Sequence, residues 1–221
     1  MYLRALAILS LLALAGCATA PSHPSPPSSK QGAVPGKFQS WRERRDHNVI
    51  KQRYDYSCGA AALATLLRYY FADDRLDERG VLEGILGRLS EDETGDRIQN
   101  GFSLLDLKQQ AERLGYQAAG VKLGLGRLPK LRGPVLVHLV CDGERHFAIL
   151  RGVREDRVFL ADPSRGNVRM PVHQFAREWT GLALVLGKKG FGLPAEHALA
   201  VPSDTPLRPE LDGARRALVA R

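Results

Sequence analysis

The strongest periodic signal in the chain runs from Cys58 to Phe71, where Ala61, Ala62, Leu63, Leu66, Leu67 and Tyr70 recur at helical spacing. That pattern predicts a helix beginning at the cysteine, with Ser57 in place to cap its N-terminus. A second helix is expected over about Asp77 to Leu89. A third is expected from Ser103 to Leu114, opened by Ser103-Leu-Leu-Asp106 and stopped by Gly115. After Gly115 the texture changes. The segments "AAGVKL", "PVLVHLVCD", "HFAILRGV", "RVFLADP" and "ALVLG" are short, apolar or β-branched, and separated by turn residues, which predicts antiparallel strands. Asp142-Gly143 reads as a hairpin turn and Arg154 to Arg157 as another tight connection. Pro171 to Trp179 reads as a short helix between strands. The acidic stretch "SEDETGD" before Asn100 reads as a solvated loop. Helices first and sheet second make an α+β domain.

The two ends have a different character. Arg4 is followed by the apolar run Ala5 to Ala15, which is too short to span a membrane and has the make-up of a signal-peptide core. "LAGC", Leu14 to Cys17, resembles the lipobox of bacterial lipoproteins. That resemblance implies a signal segment over 1–17 and a lipid on Cys17; ordinary cleavage after the nearby "CATA" is the alternative. By the same resemblance, Ala18 in place of an aspartate implies retention at the outer membrane, on its periplasmic face. Residues 18–40 are rich in Pro, Ser and Gly and read as a linker. The folded domain is then expected over 41–190, beginning near Trp41 or Val49. The polar, aperiodic stretch 191–221 is expected to be a flexible tail, loose or draped on the surface.

Composition narrows the picture in a few places. With 221 residues, 44% of them apolar, the chain can bury one core. Its net charge of +8 is spread without a long basic block and comes with no nucleic-acid-binding motif, so nucleic acid is not an expected partner. A basic surface of this kind suits an anionic lipid face. Of the three cysteines, Cys58 and Cys141 would remain free if Cys17 carries lipid, in a compartment where they could pair. A thiol that does chemistry must stay unpaired.

Cys58 sits where a loop becomes a helix. Unpaired N–H groups and a partial positive charge there favour thiolate, the nucleophilic form. Gly59 would let a substrate backbone come close. A thiol nucleophile needs a base, and His146 follows a hairpin turn and opens a strand. Asp162 ends the next strand in "FLADP", near the same sheet edge, and can orient the imidazole. The Cys58 N–H and the Gln52 side-chain amide, six positions upstream, can serve as oxyanion donors. His138 and Cys141 differ by an odd number along one strand, so they face opposite ways and no metal site is expected. His173 reads as a surface residue, and Trp41 and Trp179 as core or edge packing.

Together, Gln52-Arg-Tyr-Asp-Tyr-Ser-Cys58-Gly-Ala-Ala-Ala-Leu, His146-Phe147 and Asp162-Pro163 resemble the C39 family of cysteine peptidases, over about residues 45 to 187. The resemblance implies a papain-like fold and peptide-bond hydrolysis without a cofactor. It makes Cys58 the nucleophile, His146 the base, Asp162 the orienting group and Gln52 the oxyanion donor. The best-known members cut leader peptides after a double glycine within cytoplasmic exporters. This chain has no G-x-x-x-x-G-K-[ST] loop and carries an export signal, so ATP binding is not inherited. Its layout is closer to the stand-alone exported form found in functional-amyloid secretion systems. Expected partners are thus a peptide or protein substrate, a membrane reached by the lipid anchor, and a secretion apparatus. A peptide-binding module that does not cut, and a Cys/His murein amidase or acyltransferase, are the alternative readings.

Overall fold

The computed structural model describes residues 40–203 and 205. The expected signal segment with Cys17, the linker up to residue 39 and the tail from residue 206 lie outside the described residues.

Helices come first: α1 (Trp41–Asp46), α2 (Cys58–Tyr69), α3 (Glu78–Leu86), α4 (Glu91–Asn100) and α5 (Leu104–Arg113). They are followed by β1 (Gln117–Lys122), β2 (Val135–Cys141), β3 (Glu144–Arg154), β4 (Arg157–Asp162), β5 (Gly166–Pro171), α6 (Val172–Glu178) and β6 (Trp179–Gly187). The strands form one antiparallel sheet in the order β1-β6-β2-β3-β4-β5. This is the expected α+β architecture.

Local chemistry explains most element ends. The Asp77 carboxylate accepts from Gly80 N at 2.8 Å and starts α3. Ser103 and Asp106 form a reciprocal capping box at the start of α5. Asp142 and Gly143 both have positive φ, 51° and 86°, as the two-residue turn between β2 and β3 requires.

The sheet divides the core in two. On one face, Leu63, Leu66 and Leu67 of α2 meet Val81, Ile85 and Leu107 of the neighbouring helices and Leu136, Phe147, Ile149, Ala161 and Leu184 of the sheet. On the other, Val137, Leu139, Ala148, Leu150 and Leu160 are covered by Phe175 of α6 and by Trp179. Helix α2 lies at the centre of its layer, and every residue from Cys58 to Leu67 is buried. The alanines of its first turn allow that close approach.

Four expectations are corrected. "SEDETGD" is not a loop but most of α4. Ser90 and Glu93 cap it reciprocally, its acids gather where the helix dipole favours them, and Arg97 ties it to Asp106 of α5 at 2.7 Å. Ser57 does not cap α2; it ends a 3₁₀ turn (Asp55–Ser57), and its hydroxyl accepts from Tyr54 N at 3.1 Å and donates to the Glu78 carboxylate. Trp41 is not packing: it is 69% exposed, with the Arg45 guanidinium over its ring. The tail is no loose segment as far as residue 203. Leu199 is fully buried, Phe191 packs on Tyr70 and Phe71, and Asn48 and Arg151 donate to the carbonyls of 198–200. The apolar residues in that stretch are too few to show a period, but Phe191 and Leu199 join the core on the α2 face.

Candidate active site

Cys58 is the first residue of α2 and is buried. Its helix is long enough for the unpaired N–H groups of the first turn to carry a partial positive charge. The loop leading into it is held by Glu78, the first residue of α3. Only 3% exposed, Glu78 accepts from Arg53 N at 2.8 Å and from the Ser57 hydroxyl. The same loop is tied to the sheet where Gln52 N donates to Pro163 O at 3.1 Å. The segment before the thiol is therefore anchored to α3 and to the end of β4.

His146 and Asp162 share a face of the sheet. Ile149 pairs with Ala161, which places Ala148 opposite Asp162, and His146 is one pleat further along. His146 Nε2 lies 3.1 Å from Asp162 Oδ2, in a bent contact. The Cys58 side chain is within hydrogen-bonding reach of the same ring. With Nε2 turned to the carboxylate, Nδ1 is left to the thiol. Burial works to take the proton off His146, but Asp162 and Cys58 outweigh it and the pKa is raised to about 9. Three of the residues expected from sequence, Cys58, His146 and Asp162, are thus brought into contact.

Asp162 is fully buried and fully used. Its Oδ1 accepts from Ser164 N (2.8 Å), Ser164 Oγ (2.9 Å) and Arg165 N (2.9 Å). Its Oδ2 takes Arg165 Nε at 2.8 Å beside His146. Burial alone would raise its pKa; contacts with His146 and Arg165 hold it far below the usual carboxylate range. Arg165 then reaches Glu178 Oε2 at 3.8 Å, and Glu178 accepts from the Cys141 thiol at 3.4 Å.

The second cysteine is thereby occupied elsewhere. Cys141 is free, as is Cys58, so the two are not paired. Burial and Glu178 push the Cys141 thiol up to about 11. His138 lies on the other side of β2, against the Phe147 ring and 3.0 Å from Thr180 Oγ1. Burial, with Arg145 and His146 nearby, lowers its pKa.

Two sequence-derived residues stand differently. Gly59 is buried, and a Cβ there would meet Leu107 at 3.1 Å and Phe147 at 3.2 Å. Its bareness serves helix-to-sheet packing; it is not open to a substrate. Gln52 is on the anchored loop, with Nε2 donating to Tyr54 O at 3.1 Å and Oε1 buried without a partner. Glu78, Arg165 and Glu178 escaped the sequence reading. Arg165 had a signal: Asp-Pro-Ser-Arg folds as a turn in which the aspartate accepts from N–H groups two and three residues on. Glu78 and Glu178 had none, because their partners are distant in the chain.

A sequence model of the Peptidase C39 family matches residues 88–190, a span that includes His146 and Asp162. The chain is 39% identical over 181 residues to the "Probable functional amyloid protease FapD" of Pseudomonas fluorescens, covering 79% of this chain and 77% of that protein. Its counterpart of the same description in Pseudomonas aeruginosa is 35% identical over 160 residues, covering 72% and 69%. Among solved structures, a double glycine motif protease from an AMS/PCAT transporter, in complex with the leader peptide, superposes with a TM-score of 0.51. It is 28% identical and covers 62% of this chain and 89% of that one. With relatives of this kind over most of its length, the chain belongs to the C39 family of cysteine peptidases.

Proposed function

We propose that this cysteine peptidase works by a Cys–His–Asp mechanism in which Cys58 is the nucleophile, His146 the acid and base, and Asp162 the group that holds the ring. The single observation that carries this reading is the His146 ring between Asp162 Oδ2, 3.1 Å from Nε2, and the Cys58 thiol. The Cys58 thiolate attacks the scissile carbonyl carbon, forming a C–S bond and an oxyanion. The Cys58 N–H and the Gln52 amide donate to that oxyanion, the amide turning to it from Tyr54 O at 3.1 Å and Asp55 O at 3.5 Å. The His146 imidazolium gives its proton to the leaving amine as the C–N bond breaks. It then takes a proton from water, which attacks the thioester and releases the acid and the thiolate.

The substrate we assign is a protein or peptide of an export system, a functional-amyloid secretion apparatus first, since the relatives quoted above are described as functional amyloid proteases. The site of action is the periplasmic face of the outer membrane, with the domain tethered through lipid on Cys17. This rests on the signal-like run, the "LAGC" motif and Ala18.

The test of the mechanism is alkylation of Cys58 by iodoacetamide, followed peptide by peptide in mass spectrometry at pH 6–7. Cys141, with its thiol pushed up to about 11, stays silent there. An imidazolium beside the sulfur keeps wild-type labelling fast, and His146→Ala slows it by about tenfold or more. Equal rates in the two proteins would sink the assignment. Cleavage of purified functional-amyloid export substrates should be lost in Cys58→Ala; retention would remove Cys58 as nucleophile.

A further inference from the structure

A second site lies on the α2 face of the sheet, where α2 does not reach. It is a cleft of about 560 Å³ between α1, strands β3 to β5 and Thr205 of the segment after β6. Four arginines line it: Arg44 and Arg45 from α1, Arg151 from β3 and Arg169 from β5. No Asp or Glu is among its described lining residues. None of these residues belongs to the Cys58, His146, Asp162 set.

Arg151 is the informative one. It is half-buried, and all its contacts go to neutral acceptors: Nε donates to Leu199 O at 2.9 Å, Nη2 to Ala200 O at 2.7 Å, and Nη1 to Asn167 Oδ1. Among the described residues no carboxylate is within ion-pair distance of it. Burial pulls its pKa below that of an ordinary arginine, with no acid opposing the shift. A guanidinium held out of water without a counter-charge is costly, and the fold keeps it at the wall of an open cleft. Arg45 has a carboxylate of its own, on Asp46, with both contacts at 2.8 Å. Two flat apolar walls adjoin the charges. Trp41 is 69% exposed at the rim, and Phe159 lies in the wall with the Arg154 guanidinium over its ring at 5.7 Å.

We infer that this cleft is a binding site for a phosphate-bearing anion, with the phosphate on Arg44 and Arg151 and the rest of the ligand against Trp41 and Phe159. Phosphate suits the site better than a single carboxylate. Its several oxygens accept from guanidinium forks arriving from different elements, and arginine is the side chain matched to that geometry. The source is either the headgroup of an anionic lipid or a soluble phosphate, and the two are separable.

The experiment uses the full chain and three probes: inorganic phosphate, dihexanoyl phosphatidylglycerol and dihexanoyl phosphatidylcholine, the two lipids kept monomeric. Calorimetric titration gives Kd and thermal unfolding gives the accompanying rise in Tm. Saturable binding of phosphatidylglycerol well above that of phosphatidylcholine, with inorganic phosphate weak, supports the site and names a lipid headgroup. Phosphate binding as tightly as phosphatidylglycerol supports the site and names a soluble anion. Arg151→Gln should weaken binding about tenfold or more, as for a lost charged hydrogen bond. Arg44→Gln, on an exposed helix position that leaves the fold intact, should weaken it about threefold. No binding of either anion, equal binding of phosphatidylcholine, or unchanged affinity in Arg44→Gln would overturn the inference.

Discussion

At the scale of single residues, His146 is decided by a contest. Burial alone would leave the ring neutral, yet Asp162 and the thiol keep its proton on up to about pH 9. Since the imidazolium is the form that protonates the leaving amine, kcat/KM should fall as pH rises through about 9, and a profile should show that alkaline limb. Asp162→Asn removes the main group holding the proton, so the limb should move to lower pH and kcat drop by about 10²–10⁴. Arg165 competes with His146 for Asp162 Oδ2, at 2.8 Å against 3.1 Å. Arg165→Met therefore leaves more of the carboxylate charge to the ring, and the limb should move to higher pH, opposite in sign to Asp162→Asn. Shifts in the same direction would show that Arg165 acts only by holding the turn. The same proton bears on stability. Because the folded pKa lies above the ordinary 6.5, the contribution is complete below about pH 6.5 and is lost as pH rises through about 9.

At the scale of elements, the site depends on where α2 starts and how closely it packs. Gly59→Ala would push a methyl against Leu107 and Phe147. We expect a loss of about 1–3 kcal/mol in a denaturant titration, together with lower activity because the turn carrying Cys58 is displaced. Helices α2, α3, α5 and α6 and five of the six strands were legible, the helices from helical spacing and capping or stop residues, the strands from short apolar or β-branched runs bounded by turn residues. The exceptions have local reasons. Strand β5, "GNVRMP", is a mixed-polarity edge strand with little stripe to read. Helix α4 has no buried residue at all, so its signal was the Ser90–Glu93 capping box and not a hydrophobic pattern. The strap after β6 is held by single side chains. Leu199→Ala should cost about 2–5 kcal/mol, a large value for a residue outside every helix and strand, and thermal unfolding would show it. A change under half a kcal/mol would mean that the strap is not part of the cooperative fold.

At the scale of the whole molecule, the reading is of a peptidase domain carried on a tether. Cys17→Ser should abolish incorporation of labelled palmitate and move the protein from the membrane to the soluble fraction of a cell lysate. Continued membrane recovery without label would mean that something other than the lipid holds it, and the arginine cleft would be the first region to test. What the sequence determined by itself was whatever depends on neighbours along the chain: the helical stripe that begins at Cys58, the alternation and turns of the strands, the order Gln52, Cys58, His146, Asp162, and the signal-like start. Only the tertiary structure decided what depends on residues far apart in the chain. It turned Ser57 away from α2 toward Glu78, gave Gly59 a packing role, set Arg165 on Asp162, tied Cys141 to Glu178, and left Arg151 without a counter-charge among the described residues. The physical reason is that burial and partnership set these side chains' roles. Periodicity reports which face of an element is covered; it says nothing of which distant group does the covering.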